Sequence, residues 1–177
     1  MVVETALKLD LGCGQTAKEG FIGVDISADC GADVVHDLRV YPWPFESDSV
    51  DEVFSSHFLE HVPGHDRFRL FDELWRILKV DAQATIVTPY WASMRAIQDP
   101  THEWPPISEA SYLYTNRQWR EDNKLDHYPI SCNFDYTYAY NINDRRYALS
   151  AEEARAHQAR YYNNVIDDLH VVLTKKA

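Results

Sequence analysis

Near the start of the chain, three short apolar stretches each run into an aspartate. "LKLDL" at 7–11 holds Asp10, "FIGVD" at 21–25 ends in Asp25, and "ADVVHDL" at 32–38 holds Asp37. Short apolar or alternating runs bounded by glycine and polar residues read as strands. Two more follow: "VDEVFSS" at 50–56, and "ATIVT" at 84–88, closed by Pro89. Between them, after Gly64, Phe68, Leu70, Phe71, Leu74, Trp75, Ile77 and Leu78 recur at helical spacing. "YPWPFESDS" is a loop broken by Pro42 and Pro44. Strands alternating with crossovers predict a parallel sheet in an α/β layer. Ligands of such sheets bind at the carboxyl ends of the strands, where the three acids fall.

The second half is rich in Trp and Tyr. A helix is expected from Ser108 to Trp119, and a long strand in "CNFDYTYAYNI" at 132–142. Ser150 and Glu153 form a capping box that opens a helix to about residue 162. "DLHVVLTKK" at 168–176 is the last strand. No linker divides the 177 residues, so one domain spanning 1–177 is expected, and 45% hydrophobic residues supply its core. A net charge of −11 without a basic run argues against a nucleic-acid partner. No apolar run is long enough to cross a membrane, and "MVVETALKLD" is not a secretory start. Cys13, Cys30 and Cys132 form no C-x-x-C pair, which points to a reducing cytoplasm and away from a cysteine zinc site. The sequence leaves the oligomeric state open.

The turn Gly12-Cys13-Gly14 carries the chemistry. Gly12 to Ala17 fits the dinucleotide pattern G-x-G-x-x-A. Yet only Gln15 to Gly20 separate the turn from "FIGVD", too few for a crossover helix. Asp25 also arrives 13 residues after Gly12, against about 20 in that pattern. Asp10 would repel a pyrophosphate but suits a sulfonium or amino group. Asp25 can accept both hydroxyls of a ribose, and Asp37 an exocyclic amine. NAD is therefore disfavoured.

"LDLGCG", "GVDIS", "VVHDL", "SVDEVFSSHFLEHV", "ELWRILKV" and "ATIVTPY" follow one another as in class I S-adenosylmethionine-dependent methyltransferases. The chain resembles the short subgroup of the type 11 methyltransferase domain, whose first helix is cut to a loop. The resemblance is close over 7 to about 90 and looser beyond. It implies a Rossmann-like single α/β domain with a mostly parallel sheet and an antiparallel C-terminal strand. Residues 1–89 would form the cofactor half and 90–140 an aromatic acceptor and lid segment. It implies S-adenosylmethionine as cofactor, with Asp10, Gly12 and Gly14 on its methionine part and Asp25, followed by Ile26, at its ribose. Asp37 and Leu38 would flank adenine, and Ser55, Ser56 and His57 would line the end of the fourth strand. "KVDAQA" stands where the family usually has a K-P-G-G turn.

"HFLEH", His57 to His61, also fits H-x-x-E-H, an inverted zinc-protease pattern. On a helix His57 and His61 would share one face and could hold a metal, though a zinc hydrolase would need a third ligand from elsewhere. In the resembled family the same run follows the fourth strand and starts a helix, with Leu59 and Val62 facing the core, so no metal is expected. Methyl transfer needs an acceptor aligned with the methyl–sulfur bond, and aromatic faces stabilise a sulfonium. Tyr90, His57 and His102 of "QDPTHEWPP" are the candidate catalytic residues, the histidines as bases. Tyr112, Tyr114 and Trp119 would line a lid or form plain aromatic core. The expected activity is methyl transfer to a small or medium-sized acceptor. A zinc hydrolase, or a non-catalytic protein binding the cofactor or its demethylated product, are the alternatives.

Overall fold

The computed structural model describes residues 6–142 and 162–177. Seven strands make one sheet: β1 (Lys8–Leu11), β2 (Ile22–Asp25), β3 (Val34–Val35), β4 (Val50–Ser56), β5 (Leu78–Pro89), β6 (Phe134–Ile142) and β7 (Ile166–Lys175). Their spatial order is β3-β2-β1-β4-β5-β7-β6. β1 to β5 pair in parallel. β7 runs antiparallel to β5, and β6 antiparallel to β7. The expected α/β sheet is present, with two antiparallel C-terminal strands rather than one. The first crossover is a loop, as the short spacing requires.

Helix α1 (Arg67–Ile77) buries Leu70, Phe71, Leu74 and Ile77 against the sheet, each 3% exposed or less. Their i, i+1, i+4, i+7 spacing forms one apolar stripe, and each such side chain contributes about 1.5–3 kcal/mol on burial. Glu73, on the same helix, accepts the Trp43 N–H at 2.6 Å and pairs with Arg76. This pins the proline loop before β4 to the helix.

Three expectations about elements are corrected. The third strand shrinks to two residues, because side chains replace its ladder: Gly23 N–H donates to Asp33 Oδ2, and Arg39 grips Asp37. The turn expected at "KVDAQA" lies inside β5. Val50 pairs with Leu78 and Glu52 with Gln83, so the intervening residues bulge at Asp81, which has φ +66°. The helix expected over 108–119 is split into a 3-10 turn at Glu109–Thr115 and helix α3 (Arg117–Asp122). Asn116 causes the break: its extended backbone and its side chain, which accepts from Trp119 N–H, cap α3 anew. The helix expected after Ser150 lies outside the described residues. A short helix α2 (Met94–Gln98), capped by Ser93, follows β5.

Candidate active site

The glycine turn is built by its neighbours. Gly12 has φ +71°, and a Cβ there would meet Phe58 Cβ at 2.6 Å and Cγ at 2.7 Å. Only glycine admits both the backbone angle and the Phe58 ring. The Gly12 N–H donates to Val24 O, and the Gly14 N–H to Asp25 Oδ2 at 3.0 Å. Asp25 Oδ1 accepts from Ser27 N–H, so the carboxylate is held still at the end of β2. Asp10 is buried and accepts the Lys18 N–H at 2.8 Å, which closes the loop that replaces the first helix. Burial raises its pKa, outweighing the Lys18 N–H and ammonium that lower it.

A cavity of about 280 Å³ opens beside this turn. Gly12, Asp25, Ile26, Asp37, Leu38 and Phe58 line it, with His61 at one side. Asp37 is held by both guanidinium contacts of Arg39, at 3.0 Å each, which keep its carboxyl below the usual range. Of the expected cofactor residues, Asp10, Gly14, Ser55, Ser56 and His57 are not among the lining. Ser55 is buried and donates its hydroxyl to Leu11 O at 2.8 Å.

A second cavity, of about 490 Å³, lies on the other side of His61. His57, Glu60, His61, Arg95, Asp99 and His102 line it. His57 ends β4 with φ +56° rather than sharing a helix face with His61. Its Nδ1 is 3.2 Å from Glu60 Oε1, and its Nε2 is 3.9 Å from Asp168 Oδ1. The Glu60 hydrogen bond, opposed by burial and aided by the charges of Glu60 and Asp168, raises the His57 pKa. Asp168, from β7, is fixed by Arg95 at 2.9 Å. Neither Asp168 nor Arg95 was expected, because only the return of β7 beside β5 brings them here. Tyr90 is buried and packs on Tyr140 and Trp91, and burial raises its phenol pKa. Tyr112 lies fully in the core against Phe71, and Tyr114 clusters with Phe68, Trp119 and Tyr128.

Arg67 assembles the second cavity. It is buried and donates to Val62 O, Pro105 O and Glu103 O, tying the 99–107 segment to the start of α1. Glu103 N–H donates to Glu60 O, and Gly64 N–H to Trp104 O. The Gly64 site has no room for a side chain: a Cβ would meet Pro105 Cδ at 2.5 Å.

Residues 9–86 match the family model of a methyltransferase domain. The match takes in β1 to β4 and most of β5, so this stretch is similar to a methyltransferase domain. In fold the chain is similar to a SAM-dependent methyltransferase from Archaeoglobus fulgidus, with 20% identity and a TM-score of 0.68 over 96% of this chain and 86% of that one. It is similar to the putative methyltransferase bound to the Trm112 activator of Haloferax volcanii, with 18% identity and a TM-score of 0.60 over 99% and 84%. It also resembles geranyl diphosphate C-methyltransferase from Streptomyces coelicolor A3(2), solved with Mg2+ and S-adenosyl-L-homocysteine, with 18% identity and a TM-score of 0.56 over 96% and 69%. At these identities the likeness is one of fold. No curated protein matches the sequence. Among the described residues no helix is long and apolar enough to cross a membrane.

The cavity beside the glycine turn fits the nucleoside end of that cofactor. Asp25 offers a fixed carboxylate for a diol, and Ile26, Leu38 and Phe58 offer apolar faces for a base. The fold also gathers Cys13, Asp25 and Cys30, whose ligand atoms lie within 4.8 Å of one another. The fold thus brings together two cysteines that form no C-x-x-C pair in the sequence. Burial first, then the Asp25 charge, push the Cys13 thiol up to about 11, so it is a neutral thiol at neutral pH.

Proposed function

We propose that this methyltransferase transfers the methyl group of S-adenosylmethionine to a small or medium-sized acceptor held in the cavity between β4, β5 and the 99–102 turn. The observation that carries this reading is His61, which lines both cavities and so makes them neighbours. The cofactor supplies an electrophilic methyl on a sulfonium; the protein's task is to hold, orient and keep dry.

Asp25 holds the ribose diol, Asp37 the exocyclic amine, and Ile26 and Leu38 the adenine faces. Gly12 and Gly14 shape the turn beneath the methionine part, and Asp10 fixes that turn from behind. Ser55 and Ser56 support the end of β4 rather than touching the cofactor. On the acceptor side, His57 is flanked by two carboxylates and favours the imidazolium form, so it orients an acceptor better than it takes a proton. The Nδ1 of His102 lies 3.2 Å from the Ala96 carbonyl, which can only accept. Its Nε2 is therefore the free lone pair, and His102 is the better base. Pro89 lines the cavity at the end of β5, and Tyr90 is buried next to it in the chain against Trp91 and Tyr140, outside the lining. The acceptor site so drawn is narrower than residues 90–140; Tyr112 belongs to the core, with Tyr114, Tyr136 and Tyr140 packed against it.

The test is incubation with methyl-labelled cofactor and pooled small-molecule acceptors. Label transfer that is lost in His102→Ala while cofactor binding stays intact supports the reading. Cofactor binding without transfer to any pool favours the non-catalytic alternative.

A further inference from the structure

The second cavity holds a set of ligands that methyl transfer does not require. One ligand atom each from Glu60, His61 and His102 lie within 4.8 Å of one another. Both imidazoles are pinned in the same way. His61 Nδ1 is 3.1 Å from Thr101 O, and His102 Nδ1 is 3.2 Å from Ala96 O. A carbonyl cannot donate, so each Nδ1 carries the proton and each Nε2 presents a lone pair. Backbone carbonyls fixing the outer nitrogen of a histidine are the usual support of a metal ligand. The two rings stand nearly perpendicular, 76° apart, with centroids 4.9 Å apart.

The carboxylate is supported equally. Glu60 is 5% exposed, its Oε1 is held by His57 Nδ1, and its Oε2 has no hydrogen-bond partner. A buried carboxylate oxygen without a partner is costly, and a cation would remove that cost. Asp99 Oδ2 lies 3.8 Å from His102 Nε2 at the rim.

We infer that Glu60, His61 and His102 bind one divalent transition-metal ion, with open coordination positions facing the second cavity. Two imidazoles and one carboxylate suit Zn2+, Co2+ or Mn2+ over Mg2+, which prefers oxygen alone. Three protein ligands with an open position is the arrangement of sites that hold a substrate. Bonds of about 2.0–2.2 Å place tetrahedral ligand atoms about 3.3–3.6 Å apart, so atoms that now lie within 4.8 Å of one another need close by no more than about 1.5 Å on loading. HFLEH alone suggests His57 with His61, but the fold makes His57 a support of Glu60 and draws the third ligand from the Asp-Pro-Thr-His turn. Where the methyl-transfer reading holds, the ion's open face meets an oxygen of the acceptor. The His102 lone pair then holds the ion, and His102 serves as the base only in the ion-free site.

The test is calorimetric titration of the chelator-treated 177-residue chain with Zn2+ in the absence of cofactor, followed by Co2+ absorption spectroscopy. One equivalent of Zn2+ is expected to bind, with Co2+ giving visible bands of low-coordinate N/O ligation. Mg2+ at the same concentration should not compete. His61→Ala and His102→Gln, checked for fold by circular dichroism, should each weaken Zn2+ at least tenfold, whereas His65→Ala should not. Stoichiometric binding unchanged in both ligand variants, binding lost in His65→Ala, or no binding at all would overturn the assignment. These readouts do not involve methyl transfer, so failure of the ion site and failure of the transferase reading are separate results.

Discussion

The two cavities on either side of His61 are built in opposite ways. The cavity beside the glycine turn draws on residues within Gly12–Phe58 together with His61, and follows the strand order: the glycine turn after β1, one acid at the end of β2, one after β3. The histidine cavity joins residues 57–61 to 95–102 and borrows Asp168 from β7 as support. Its shape depends on Arg67 and on backbone bonds between segments about forty residues apart. A site written along consecutive strands tolerates distant change, whereas one assembled by a buried clamp does not.

The largest effect that separates them is expected at Gly12. Gly12→Val would force a side chain into Phe58, so cofactor binding should fall below calorimetric detection, while Zn2+ binding at the histidine cavity should survive in any folded fraction. Asp25→Ala should weaken S-adenosylmethionine at least tenfold, with the melting temperature little changed. Arg67→Met is the converse probe. It leaves three carbonyls without their donor, and should cost about 3 kcal/mol in urea unfolding and lower Zn2+ affinity more than cofactor affinity.

Glu73 provides a control outside both cavities. Burial raises its pKa, but Arg76 and the Trp43 N–H together outweigh this and hold it low. Its stabilisation is therefore present above the unfolded pKa of about 4.3 and fades as pH falls through the lower folded value. Glu73→Gln should cost about 2 kcal/mol at pH 7 and less near pH 3, as read from urea midpoints. The smallest effect is expected at Ser55: Ser55→Ala should cost about 1 kcal/mol of stability and leave cofactor affinity unchanged, whereas a tenfold loss of affinity would return Ser55 to the cofactor site.

The contrast explains what the sequence disclosed. Strand order, the loop in place of the first helix and the three acids were legible because they depend on spacing within short segments. The length of β3 was not, because the Asp33 and Asp37 side chains take bonds that a ladder would otherwise make. The run through "KVDAQA" was not, because pairing with β4 on both sides of it, Leu78 with Val50 and Gln83 with Glu52, keeps it in β5 while Asp81 absorbs the bulge. HFLEH was misleading as a helix face. His57 sits in a left-handed backbone conformation, and His102 lies in a turn that Arg67, the tight Gly64 contact and the Glu103 N–H bond to Glu60 O bring beside Glu60 and His61.

The central claim is that the Asp25 end of the parallel sheet holds S-adenosylmethionine. Calorimetric titration of chelator-treated protein with S-adenosylmethionine, with NAD as control, tests it most directly. One-site binding to the wild-type chain, at least tenfold weaker in Asp25→Ala and absent with NAD, is the predicted result. No binding to the wild-type chain, or equal binding to both, would contradict it.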